Sequence, residues 1–249
     1  MTIFARLLCG IAILCGWPAS LVLAQGCAQL DKHQLANAMG IDQELIPWMN
    51  LEIPTCANIH VGGGYAGFVL DEVNLKLHEG VRSEISIDYP FVEGDTIEYR
   101  WSILVPSQGA PGGDAHQWWL IAQWHDQPDF RVGETWATLK AQPPPVAIFI
   151  ESRNGVPGIG LYGLPGKKIS WSPVPTDVWL DLGVVVHWST ASGGSVRFFI
   201  DGHPEFDVTA TGRNMLNGYR HYFKVGQYRA PGIRQLSVLY VRNVRFRKL

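Results

Sequence analysis

An all-β fold, two antiparallel sheets packed face to face, is predicted by three features of the chain. Apolar and polar residues alternate at period two in many short runs. Those runs are cut by 27 Gly and 16 Pro. Only 17% of residues are charged, fewer than the solvated faces of a helix bundle need. At 249 residues and 47% hydrophobic content there is apolar material for one sizeable core. No internal repeat, low-complexity stretch or linker divides the chain.

Residues 1–24 read as an export signal, with Arg6 as the positive start, Leu7 to Leu14 as the apolar stretch and Val22-Leu23-Ala24 as the cleavage site. Gly10, Gly16 and Pro18 interrupt the run, which is short for a bilayer span, so no stable membrane span is expected. Lipidation at Cys27 is the alternative, and Gln25 fits such a site poorly. The expected location is therefore secreted or periplasmic. Cys9 and Cys15 leave with the signal. Cys27 and Cys56 remain in an oxidising compartment, where a Cys27–Cys56 disulfide is expected.

Residues 25–58 are an N-terminal lead-in. Asp31 can cap a helical turn running to Met39, Gly40 can end it, and a second turn fits 42–46. No chemistry is legible there. From residue 59 onward the pattern is β, and 59–249 is taken as one domain. Strands are expected at 65–70, 73–77, 82–88, 96–105, 116–125, 146–151, 159–162, 178–188, 196–201, 219–229 and 236–247. The run 96–105 is the clearest, with Ile97, Tyr99, Trp101, Ile103 and Val105 on one face. Gly193-Gly194 and Asp201-Gly202 sit where hairpin turns belong. Residues 126–144 form a long loop that runs into Pro143-Pro144-Pro145.

Charge is divided along the chain. Residues 26–129 carry 4 Lys and Arg against 15 Asp and Glu, and residues 130–249 carry 15 against 7. A basic half suits a polyanion, unless strands of the two halves interleave and cancel the charge in space. An exported chain with no nucleic-acid-binding module points away from nucleic acid and toward an anionic polysaccharide. The protein is expected to act as a monomer.

Three segments concentrate polar groups on strands. They are Arg82-Ser83-Glu84, Gln123-Trp124-His125 and Tyr222-Phe223-Lys224-Val225-Gly226-Gln227-Tyr228. Residues two apart share a strand face. Gln123 thus projects with His125, and Tyr222 and Lys224 project with Tyr228, with Gly226 leaving a gap between them. By the same alternation Trp119 joins the Gln123 and His125 face, where its ring could stack on a sugar.

In this order the three segments resemble the signature strands of the jelly-roll polysaccharide lyases: glucuronan lyases, the heparin lyase I group and the related alginate lyases. Those enzymes carry Arg-x-Glu, Gln-x-His and Tyr-Phe-Lys-x-Gly-x-Tyr strands. The resemblance covers roughly residues 65–249. It implies a β-jelly roll of concanavalin A-like type that cuts a uronic-acid polymer by β-elimination. Ser86 stands where alginate lyases usually carry a second Arg, which argues against alginate. The resemblance implies His125, Tyr228 and Gln123 as catalytic residues and Arg82, Lys224 and Tyr222 as substrate-binding ones.

The residue types suit the reaction. A lyase removes the C5 proton of a uronate and expels O4 of the next sugar. Donors such as Gln123 and Arg82 stabilise the charge that builds on the carboxylate. His125 and Tyr228 supply base and acid, and Lys224 would hold a neighbouring anion. Glu84 would orient Arg82. No cofactor is required. A structural calcium is compatible with the fold family, although no oxygen-rich loop resembles a dedicated site. The competing readings are a lectin on the same fold, which needs the groove but no base or acid, and a glycoside hydrolase, which needs a pair of carboxyl groups that these strands lack.

Overall fold

In the computed structural model, residues 30–249 are described apart from 74, 79, 113–116, 141 and 164–165. The expected signal and Cys27 lie outside the described residues. Helix α1 (Lys32–Met39) starts at Asp31, whose side chain accepts from His33 N, and ends at Gly40 with φ 65°. A 3₁₀ turn (Gln43–Trp48) follows. Both are where the sequence puts them.

The strands in chain order are β1 (Met49–Glu52), β2 (Ile59–Gly62), β3 (Tyr65–Leu70), β4 (Lys76–Leu77), β5 (Gly80–Ile87), β6 (Thr96–Leu104), β7 (Trp119–His125) and β8 (Val146–Arg153). They continue with β9 (Val156–Gly163), β10 (Lys167–Lys168), β11 (Ser172–Pro173), β12 (Trp179–His187), β13 (Ser195–Ile200), β14 (His203–Thr211), β15 (Tyr222–Arg229) and β16 (Ser237–Lys248). Among the described residues they form two antiparallel sheets. One runs β1-β5-β15-β7-β8-β9-β10, with β4 and β11 at its margins, and the other runs β14-β13-β12-β6-β16-β3-β2. This is the β-jelly-roll sandwich expected.

Several expectations change: β1, β10 and β11 are strands that the sequence leaves unmarked, and the strand expected at 219–229 starts at Tyr222. The strand at 73–77 shrinks to the two residues of β4. Conversely, β14 is a nine-residue strand that the sequence leaves unmarked. Its alternation, with Glu205, Asp207, Thr209 and Thr211 outward, has few large apolar residues, because it is an edge strand paired only to β13.

The core lies between the sheets. Ile85, Ile87, Phe223, Val225, Trp124 and Ile148 from the first sheet meet Phe68, Tyr99, Trp101, Val184, Phe198 and Phe246 from the second. An aromatic knot forms at its centre, with Tyr99 4.7 Å from Phe246 and 5.1 Å from Trp124 between ring centroids. Leu35, Ala36 and Met39 of α1 join this core, and β1 extends the first sheet by pairing with β5. The lead-in is therefore built into the same sandwich from residue 30 on.

The two charge halves do interleave. Lys224 pairs with Glu52, Arg220 with Asp88, Arg247 with Glu98 and Lys248 with Asp95, each joining the basic half to the acidic one. No helix among the described residues is long and apolar enough to cross a membrane.

Candidate active site

The outer face of the first sheet carries the site. Strands β5, β15 and β7 are hydrogen-bonded neighbours, and alternation sends one set of residues inward and the other out. Phe223 and Val225 go to the core, which leaves Tyr222, Lys224 and Tyr228 on the outer side. Arg82 lies opposite Tyr228, and Glu84 opposite Gly226. On β7, His125 faces Tyr222 and Gln123 faces Lys224. All three sequence segments thus meet on one face.

Register slips between Leu120 and Ala122 against β8, and between Val225 and Tyr228 against β15. The slip sends both Ile121 and Ala122 into the core and reverses the alternation beyond them. Trp119, expected beside Gln123, is consequently fully buried in the core. The aromatic ring at the groove is Trp118, whose centroid lies 4.6 Å from that of Tyr228, edge-on. Gly226 also differs from expectation. Its φ is 138°, and a Cβ there would overlap the Ser83 carbonyl oxygen and lie 2.8 Å from Glu84 Cα. The space beside it is filled by the β5 backbone, so glycine is required for strand packing.

A groove of about 570 Å³ runs over this face, lined among others by Trp118, Gln123, His125, Pro143, Tyr162 and Tyr228. Along it the order is His125, Gln123, Tyr228. His125 stands two residues, about 7 Å, to one side of Gln123, and Tyr228, opposite Leu120, stands about three residues to the other. The long loop after β7 borders it. That loop is tied down by Gln127, which donates to Asp88 Oδ1 at 2.7 Å, and by Asn217, which donates to Glu134 Oε2 at 3.1 Å. Trp136 on this loop is exposed and approaches Tyr222, centroid to centroid at 6.4 Å.

Beneath the groove is a buried charge cluster. One oxygen, Oε2 of Glu52, accepts from Arg82 Nη1 at 3.0 Å and from Lys224 Nζ at 2.7 Å. Oε1 of Glu84 accepts from Gln123 Nε2 at 2.8 Å, and its Oε2 lies 3.7 Å from Arg82 Nη1. Glu84 and Gln123 are wholly buried, and Lys224 is 2% exposed. Burial works to raise the Glu52 carboxyl, but Lys224 and Arg82 overcome it and hold that group below the ordinary carboxylate range. At Glu84 burial wins, and its carboxyl is raised despite Lys224 and Arg82 nearby. Burial opposes the charge on Arg82, yet Glu84 and Glu52 outweigh it and raise the guanidinium.

The two phenols each sit by one of these cations. The Arg82 guanidinium carbon lies 4.2 Å from the centre of the Tyr228 ring, and Lys224 Nζ lies 5.1 Å from that of Tyr222. Burial, with the Glu52 charge second, raises the Tyr222 hydroxyl above its ordinary value. The His125 ring is 5.6 Å from that of Tyr222. Its Nδ1 lies 2.7 Å from the Asp126 carbonyl oxygen, which can only accept, so Nδ1 carries the proton and Nε2 is the basic nitrogen. The buried Asp126 carboxylate is also 3.1 Å from Nδ1.

The sequence did not mark Glu52. It lies in the lead-in, outside the recognisable segments, and an isolated Glu carries no local sign of its partners at 82 and 224. Cys56 is disulfide-bonded. Among the described residues no cluster of three or more His, Cys, Asp or Glu side chains is arranged to hold a metal ion.

A jelly-roll sandwich with a polar, cation-bearing groove across the outer face of one sheet is the class this fold and site define. The chain belongs to the polysaccharide lyase family: the family's model, described as polysaccharide lyase, matches residues 41–245. Solved structures of similar fold include an endo-β-1,4-glucuronan lyase from the fungus Trichoderma reesei, at 13% identity and TM-score 0.53, covering 80% of this chain and 86% of that one. Alginate lyase Aly36B is also similar, at 13% identity and TM-score 0.56, covering 88% and 91%. A double mutant of that enzyme, solved with an alginate tetrasaccharide, aligns with TM-score 0.57 at 12% identity, covering 88% and 91%. No curated protein sequence matches the chain significantly.

Proposed function

We propose that the protein is exported and cleaves a uronic-acid-containing polysaccharide, glucuronan-like or a related exopolysaccharide or glycosaminoglycan, by β-elimination. The observation that carries this reading is the order His125, Gln123, Tyr228 along one groove. A uronate whose carboxylate meets the Gln123 amide has the Tyr228 phenol toward its cleaved side, with the His125 imidazole toward the next sugar.

The steps follow from that placement. Gln123 gives one N–H to Glu84, which fixes the amide and leaves the second N–H for the substrate carboxylate. Arg82 and Lys224 lie beneath and add positive potential as the charge builds. The C5–H bond breaks as the ionised Tyr228 oxygen takes the proton, because His125 stands about five residues away along the groove. The electron pair forms the C4–C5 double bond as the C4–O4 bond breaks, and Tyr228 returns the proton to the leaving oxygen on the same side of the ring. His125 faces the neighbouring sugar. The products are a new non-reducing end bearing a 4,5-unsaturated uronate and a shortened chain. Trp118 and Trp136, exposed at the two ends of the polar row, suit stacking against flanking sugars.

The test is to incubate the purified protein with polyglucuronate, alginate and sulfated glycosaminoglycans and to follow near-ultraviolet absorbance of unsaturated ends. Growth of absorbance on one of these polymers is expected. Tight binding without absorbance on any polymer would make the protein a lectin, and new reducing ends without unsaturation would make it a hydrolase.

A further inference from the structure

We infer that Glu52 is a positioning residue that locks Arg82 under Tyr228 and Lys224 beside Tyr222 and so sets the electric field at both phenols. The inference rests on the proposed elimination chemistry only for its kinetic consequence; the electrostatic part stands on geometry alone.

The geometry is specific. A single carboxylate oxygen receives both cations, at 3.0 and 2.7 Å. Each cation in turn lies against a different tyrosine ring, at 4.2 Å for Arg82 with Tyr228 and 5.1 Å for Lys224 with Tyr222. Arg82 is 7% exposed and Lys224 2%, so neither is free to swing to solvent. Glu52 reaches them from β1, the edge strand that the lead-in contributes, with Glu52 directly opposite Glu84. Neither cation, then, is an unclaimed anion-binding group. Their job of presenting positive charge to the groove is limited by the Glu52 charge between them.

The charged and titratable groups around the two phenols come from each neighbouring element: Glu52 on β1, Arg82 and Glu84 on β5, Lys224 on β15, His125 on β7, Asp126 just after it, and Tyr162 on β9. Removing the Glu52 charge leaves two cations against one carboxylate. The added positive potential favours phenolate at both rings. Whether Tyr228 works as base or as acid, the limb of the pH–rate profile that reports it moves to lower pH.

The experiment compares wild type with Glu52→Gln and Glu52→Asp in the full chain. For Glu52→Gln the tyrosine-dependent limb of kcat should move down by about one pH unit, with Glu52→Asp in between. Tyrosinate absorbance on alkaline titration should show the same acid shift, and the shift should vanish when Glu52→Gln is combined with Tyr222→Phe and Tyr228→Phe. This spectroscopic arm needs no substrate. If the wild type cleaves no uronate polymer, the functional reading fails while the titration still tests Glu52. Superimposable profiles and titrations for wild type and both variants overturn the inference. Should Glu52→Gln not fold, Glu52→Asp carries the test alone, and an unmoved titration in it is equally decisive against the proposal.

Discussion

Lys224 and Gln123 face each other directly across the β15–β7 pair, yet each is tied to a different carboxylate, Lys224 to Glu52 and Gln123 to Glu84. Two acids from two other strands therefore hold the floor of the groove. That arrangement fixes the Gln123 amide in place, which is what the proposed elimination would need before charge develops.

Removing the amide should hurt twice. Gln123→Ala leaves Oε1 of a fully buried Glu84 without its donor, which should cost about 1–3 kcal/mol of stability. Turnover should fall by roughly 10²–10³-fold from the loss of one carboxylate donor. Denaturant unfolding and initial rates on the best polymer measure the two effects separately. A variant of unchanged stability would show that the Glu84 pairing is not formed.

Tyr228→Phe should abolish formation of unsaturated ends while leaving binding of the polymer in place, and His125→Ala, which loses only a contact to the neighbouring sugar, should weaken turnover without abolishing it. Tyr228→Phe keeps the ring that contacts Arg82 and Trp118, so its melting temperature should stay close to wild type. Full activity in Tyr228→Phe would place the acid and base elsewhere on this face.

The two adjacent tryptophans should behave oppositely. Trp119→Ala empties a core position and should destabilise by about 3–5 kcal/mol. Trp118→Ala should leave melting nearly unchanged and raise KM by roughly 2–10-fold through loss of one stacking contact. Exchange of these outcomes would mean that β7 has no register slip.

His221 predicts acid sensitivity. Its Nε2 accepts from Leu216 N at 3.0 Å and its Nδ1 faces the Tyr219 carbonyl at 3.0 Å, so the ring is held neutral. Burial pushes it down to about 4. The unfolded chain, with an ordinary imidazole, takes up the proton first. Stability from this group is therefore complete above about pH 6.5 and is lost as pH falls toward about 4, by roughly 3 kcal/mol in all. Thermal melts from pH 7 to 4 should show this decline, and His221→Gln, which can keep both hydrogen bonds, should flatten it. Equal pH dependence in the two proteins would remove His221 as the cause.

Much of this was legible from residue order alone. Period-two alternation placed most strands, because side-chain direction on a strand is a local property. Asp31 and Gly40 bracketed the helix for the same reason, since caps act within a turn. The three polar segments were visible because an amide, an imidazole and a phenol on alternating positions stand out against an apolar background. Three things were decided only in three dimensions. The slip at Ile121 and Ala122 exchanged the places of Trp118 and Trp119, because a bulge answers to the neighbouring strands and has no mark in its own residues. Gly226 proved to make room for the β5 backbone. Glu52 acquired its two cations only when β1 closed the edge of the sheet, since contacts 30 and 172 residues apart depend on which strands become neighbours.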